Sequence, residues 1–171
     1  SSYRIKKSWL WFNGIGKSTL LKTLIGELKP ICGSFKFVDN VKIAYFEQEH
    51  NFDNPNINAL DEIHNLYPKM EHKEIRSLLA RCGLRGDMVL QPIKTLSGGE
   101  QSKLKLCKVM MIKSNVLILD EPTNHLDVNA KNDLLESLKK YQGTIIFVSH
   151  ERDFIDKLAT EIYSIEDLLL S

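Results

Sequence analysis

Apolar positions in this chain repeat in two ways, and the alternation between them predicts the architecture. Val116-Leu117-Ile118-Leu119 and Thr144-Ile145-Ile146-Phe147-Val148 are unbroken apolar or β-branched runs, as strands covered on both faces read. Elsewhere apolar residues recur at helical spacing. Leu20, Leu21, Leu24, Ile25 and Leu28 predict a helix over 17–28, broken by Pro30 and Gly33. Strands are expected at 34–38 and 41–46, joined by Asp39-Asn40 as a hairpin turn. Helices follow at 57–67 and 71–84, separated by Pro68; the second directs Ile75, Leu78, Leu79 and Cys82 towards a core. A helix over 98–112, the strand 116–119, a helix over 129–141, the strand 144–148, a helix over 152–158 and a strand near 161–165 complete the chain. The aromatic, basic stretch 3–12 is expected as a strand. Strands alternating with helices imply an α/β fold with a mostly parallel sheet flanked by helices. The stretch 51–113 reads as a helical subdomain inserted into a core made of about 1–50 and 114–171, all within a single domain, 1–171.

At 171 residues and 43% hydrophobic, the chain has enough material for one domain core. A formal net charge of +1 supplies no overall field for nucleic acid or an anionic membrane. Sequence-specific nucleic-acid binding is therefore not expected. Lys103, Lys105, Lys108 and Lys113 read as a solvated helix face rather than a contact patch. Cys32, Cys82 and Cys107 lack paired spacing, which fits a reducing, cytoplasmic setting. No apolar run is long enough to span a bilayer, so no direct membrane insertion is expected.

The candidate chemistry begins at Asn13-Gly14-Ile15-Gly16-Lys17-Ser18-Thr19. A loop that cradles phosphates must bring backbone N–H groups close to anionic oxygens, so it needs glycine, and the helix after it turns its positive end to the phosphates. Lys17 would reach the β- and γ-phosphates, Ser18 would hold Mg²⁺, and Thr19 would contact a more proximal phosphate. The full G-x-x-x-x-G-K-[ST] pattern has glycine where this chain has Trp11. Trp9, Trp11 and Phe12 read either as core-facing strand residues or, for one of them, as a stacking partner for adenine.

Val116–Leu119 run directly into Asp120 and Glu121, so a buried strand delivers two carboxylates at its C-terminal end. Asp120 would hold Mg²⁺ and Glu121 would orient or deprotonate the attacking water. His150 follows the next apolar strand and would contact the γ-phosphate beside Glu121. Gln48, between a strand and the helical insert, is sited to sense Mg²⁺ and that water.

Ser97-Gly98-Gly99-Glu100 is a helix start with capping-box spacing. Glycines weaken a helix by about 1 kcal/mol each relative to alanine, so Gly98 and Gly99 suggest a turn shaped for ligand approach.

With these five motifs in this order, the chain resembles the ATP-binding cassette (ABC) ATPases over about 13–166. The resemblance implies a P-loop NTPase with an inserted helical signature subdomain, ATP as substrate with Mg²⁺, and head-to-tail pairing with a second cassette. It further implies that Ser97, Gly98 and Gly99, followed by Glu100, meet the γ-phosphate of ATP held by the partner. Asp127 matches the acidic residue ending the family's D-loop, which couples the two sites. Glu121-Pro122-Thr123-Asn124-His125-Leu126-Asp127, Tyr45-Phe46-Glu47-Gln48-Glu49-His50 and Ser149-His150-Glu151-Arg152-Asp153-Phe154 are most similar to the ABC-F subfamily. Its members act on ribosomes, in translation or in antibiotic resistance by ribosome protection. No long arm-like insertion follows Gln48, and the segment before Asn13 is shorter than the family pattern. The chain is thus expected to be a second cassette truncated at the N-terminus. The alternatives are the nucleotide-binding subunit of a membrane transporter and a truncated, non-hydrolysing remnant.

Overall fold

A strand buried on both faces needs apolar side chains at every position, and the sheet is built on two such strands. The computed structural model describes residues 7–10, 17–37, 39–47 and 52–164. Among them, β1 (Lys7–Leu10), β2 (Ile43–Phe46), β3 (Val116–Asp120), β4 (Thr144–Val148) and β5 (Glu161–Ser164) form one sheet in the order β2-β3-β4-β1-β5. Every pairing is parallel. All five β3 residues are buried, as are Ile145–Val148 of β4. Two helices, α1 (Lys17–Leu24) and α6 (Arg152–Leu158), fall in the same unit as the sheet, while α5 (Val128–Lys140) lies between β3 and β4 in sequence only. The expected parallel α/β sheet is therefore present.

The chain divides by contact into two compact units. The first comprises Ser1–Glu47, Ile112–Pro122 and Tyr141–Ser171 and contains the sheet. Its core joins Leu21 of α1 to Val116, Ile118, Ile146 and Val148. The second comprises Gln48–Met111 and Thr123–Lys140, so α5 groups with the helical insert, beyond the 51–113 expected from sequence. Here α2 (Ala59–Leu66), α3 (His72–Arg81) and α4 (Gly98–Met111) surround Ile63, Ile75, Leu79, Leu84, Ile93 and Leu104, all fully buried. Leu78 and Cys82 pack against this cluster half-buried. Asn58 caps α2 by accepting from the Asp61 N–H at 2.8 Å. Two short 3-10 turns, Gly86–Leu90 and Ile93–Thr95, lead into α4.

Three expectations need correction. Helix α1 stops at Leu24 rather than Leu28, because Gly26 takes φ +86 and a Schellman closure forms: Gly26 N donates to Thr23 O at 3.1 Å and Glu27 N to Lys22 O at 2.9 Å. The hairpin at 34–46 does not form. Asp39-Asn40 is a turn, but 34–37 is not a strand and β2 pairs in parallel with β3. Asn115 takes over the turn instead: its side chain accepts from Lys42 N at 2.7 Å and donates to Asn40 O at 2.8 Å. Finally, the α4 lysines are not a uniformly solvated face. Lys103 is 11% exposed and pairs with Asp127, while Lys108 pairs with the buried Glu62.

Candidate functional site

The ends of β3 and β4 carry the polar groups singled out in the sequence. Asp120 closes β3 at 7% exposure and accepts a hydrogen bond from the Ser18 hydroxyl at 2.6 Å. Ser18 lies in the first turn of α1, which begins at Lys17. Two oxygen donors thus meet at one point, of the kind a hard divalent cation takes.

Glu121 leaves the strand in the left-handed region, at φ +48. A residue with a side chain holds that conformation only when its surroundings enforce it. The Glu121 N–H donates to Val148 O at 3.0 Å, tying the turn to β4. Its carboxylate then meets His150 twice. Nε2 stands 3.0 Å from Oε1, and the His150 backbone N–H donates to Oε2 at 3.2 Å. The Glu121 side chain is 12% exposed and that of His150 57%. One end of this pair is held and the other faces solvent. Before it, Ser149 is fully buried and its hydroxyl accepts from Glu151 N at 3.2 Å.

The predicted capping box is formed. Ser97 N donates to Glu100 Oε2 at 2.8 Å and Glu100 N to Ser97 Oγ at 3.3 Å. Ser97 and Gly98 are exposed. Gly99 has a reason the sequence did not disclose: a Cβ there would lie 2.4 Å from the carbonyl oxygen of His125. His125 itself has φ +62. Asp127 accepts from Ala130 N at 2.8 Å, capping α5, and from Lys103 Nζ at 3.2 Å. The Ala130 N–H first, and the Lys103 ammonium second, hold its carboxyl below the ordinary 3.8.

The structure therefore brings together Ser18 with Asp120, Glu121 with His150, and Ser97 with Glu100. The Thr19 carbonyl accepts from the Thr23 hydroxyl at 2.7 Å. Asn13, Gly14, Ile15, Gly16, Gln48 and Trp11 lie outside the described residues. Sequence reading placed Lys103 on a solvated face and missed its contact with Asp127. The signal was spacing, because Lys103 falls one helical turn after Gly99 on the same face of α4.

Comparison with known proteins bears on this geometry. The family model described as ABC transporter matches residues 12–124. The chain belongs to the ABC transporter family. By family the cassette is an ATPase domain. It is 49% identical over 150 residues to the ATP-binding protein YdiF of Bacillus subtilis, covering 88% of this chain and 23% of YdiF. It is 40% identical to ABC transporter F family member 5 of Arabidopsis thaliana, over 91% of this chain and 23% of that protein. The chain spans less than a third of the length of these curated relatives. A structure of the ATP-binding cassette MJ0796, dimeric and bound to ADP and Pi, superposes with a TM-score of 0.77 at 22% identity, covering 94% of this chain and 80% of that one. That likeness establishes the P-loop ATPase fold.

Proposed function

We propose that the chain is the ATP-binding and ATP-hydrolysing cassette of an ABC-F-like protein, working head to tail with a second cassette and acting with the ribosome, in translation or in protection against ribosome-targeting antibiotics. The observation that carries the hydrolytic part is the Glu121–His150 pair at the ends of β3 and β4, in one unit with Ser18 and Asp120. The similarity to F-family members supports the ribosomal part. A cytoplasmic location belongs to the same proposal; among the described residues no helix is long and apolar enough to cross a membrane.

By the resemblance, Asn13, Gly14, Ile15 and Gly16 would offer N–H groups to the phosphates of ATP, and Lys17 would bring a cation to the β- and γ-phosphates. Ser18 and Asp120, already joined at 2.6 Å, would hold Mg²⁺, with Gln48 as a further oxygen donor. When bound, Mg²⁺ neutralises charge on the phosphate oxygens. Glu121 orients the attacking water and takes its proton at the carboxylate. His150 fixes that carboxylate through its ring and its backbone N–H, and keeps its exposed ring edge towards the γ-phosphate. Gly98 and Gly99 offer bare N–H groups, and Ser97 its hydroxyl, to the γ-phosphate of the partner's ATP.

Glu121→Gln keeps the shape of the site and removes the base. The variant is expected to accumulate as an ATP-dependent pair in light scattering and to sediment with ribosomes. A variant that stays monomeric with ATP and a full-length relative contradicts the pairing. Copurification with a membrane-spanning protein, without ribosomes, would point to a transporter subunit.

A further inference from the structure

The signature turn is fastened to the loop after Glu121 at two points on successive turns of α4. At the first, Gly99 sits against the His125 carbonyl with no room for a Cβ. At the second, the Lys103 stem crosses Gly83, where a Cβ would lie 3.3 Å from its Cδ, and Nζ reaches Asp127 Oδ2 at 3.2 Å. The loop between is braced internally, with Leu126 N donating to Thr123 O at 3.2 Å and Asp127 Oδ1 capping α5. The Lys103 side chain is 11% exposed and that of Asp127 64%. A long cationic side chain laid flat and aimed at a solvent-facing carboxylate adds little stability, because water screens the pair. It does remove a degree of freedom between a helix and a loop.

We propose that Lys103 is a positioning residue for ATP turnover: it clamps Asp127 to α4, so that the Ser97-Gly98-Gly99 turn and the 123–127 loop move as one piece. An ATP held by the partner and met by the turn then shifts the chain segment that continues from Glu121. This rests on the head-to-tail reading above.

The test is steady-state ATP hydrolysis by the full chain carrying Lys103→Met, Lys103→Arg, Asp127→Asn, and Lys103→Met with Asp127→Asn. Lys103→Met is expected to lower kcat about tenfold with KM for ATP within about twofold, because the clamp acts on geometry in the paired state. Lys103→Arg retains most of the rate, and the double variant is no worse than Lys103→Met alone. Unchanged kcat, equal changes in kcat and KM, or losses that multiply in the double variant overturn the clamp while leaving the ATPase reading intact. A wild-type chain that does not turn over ATP overturns the ATPase reading instead. Amide exchange at 123–127 then decides the clamp: faster exchange in Lys103→Met upholds it, and unchanged exchange overturns it.

Discussion

The end of β3 and the start of α4 present polar groups in opposite ways. At the first, charge is sunk into the sheet and each carboxylate has a side-chain partner, Asp120 with Ser18 and Glu121 with His150. Holding it there takes a backbone at φ +48 and a buried strand on either side of the turn. At the second, Ser97 and Gly98 are exposed, and the helix start is held by the Ser97–Glu100 capping box and by the close approach of Gly99 to the His125 carbonyl. The contrast teaches how a fold separates two tasks. In the function proposed above, the groups that keep one geometry during chemistry are those fixed by burial and pairing, and the groups that receive a ligand from outside are those left exposed at the start of a capped helix.

Four substitutions or conditions sharpen that contrast, in falling order of effect. Ile118→Ala removes a fully buried side chain from β3. It should cost about 3–4 kcal/mol in urea unfolding, as large-to-small changes in close-packed cores do. A loss under about 1 kcal/mol would mean that the sheet does not hold the carboxylates by packing. Gly99→Ala forces a methyl group to within 2.4 Å of the His125 carbonyl. About 1–3 kcal/mol of stability should go, with a larger loss of ATP-dependent pairing, since the loop must shift to make room. Ser97→Ala removes the α4 cap and should cost about 1 kcal/mol. If its cost equalled that of Ile118→Ala, the signature start would be as rigidly built as the sheet end.

The smallest effect is a pH dependence. The Asp127 carboxyl is held below 3.8, so its contribution to stability is complete above that value and is lost as pH falls through the folded-state value. Because the side chain faces solvent, the contribution is a few tenths of a kcal/mol, about what screened pairs provide. Unfolding of wild type and Asp127→Asn should therefore differ slightly at neutral pH and converge in acid. A gap that widens in acid would reverse the sign argued here.

How much of this was legible in the sequence depended on where the partners lay. Val116–Leu119 announced a doubly covered strand because the information is in the run itself. The 152–158 helix and the Ser97–Glu100 box were equally local. The hairpin at 34–46 failed because Asn115, remote in sequence, takes the backbone groups of Asn40 and Lys42. The end of α1 was misplaced because Gly26 closes the helix before Pro30 can break it. Lys103 and Lys108 looked solvated because Asp127 and Glu62, which engage them, come from other segments. Within the site, Ser18, Asp120, Glu121 and His150 could be named from motif order alone. The strain at Glu121 and the His125 carbonyl against Gly99 are products of tertiary packing.

The central claim is that this chain holds Mg-ATP where α1 meets the end of β3. Calorimetric titration of the purified chain with Mg-ATP, beside Lys17→Ala, tests it most directly. Saturable binding by the wild type that is lost in Lys17→Ala is the predicted result. No heat of binding with either protein would contradict the account, and the motifs would then mark a cassette that no longer takes its nucleotide.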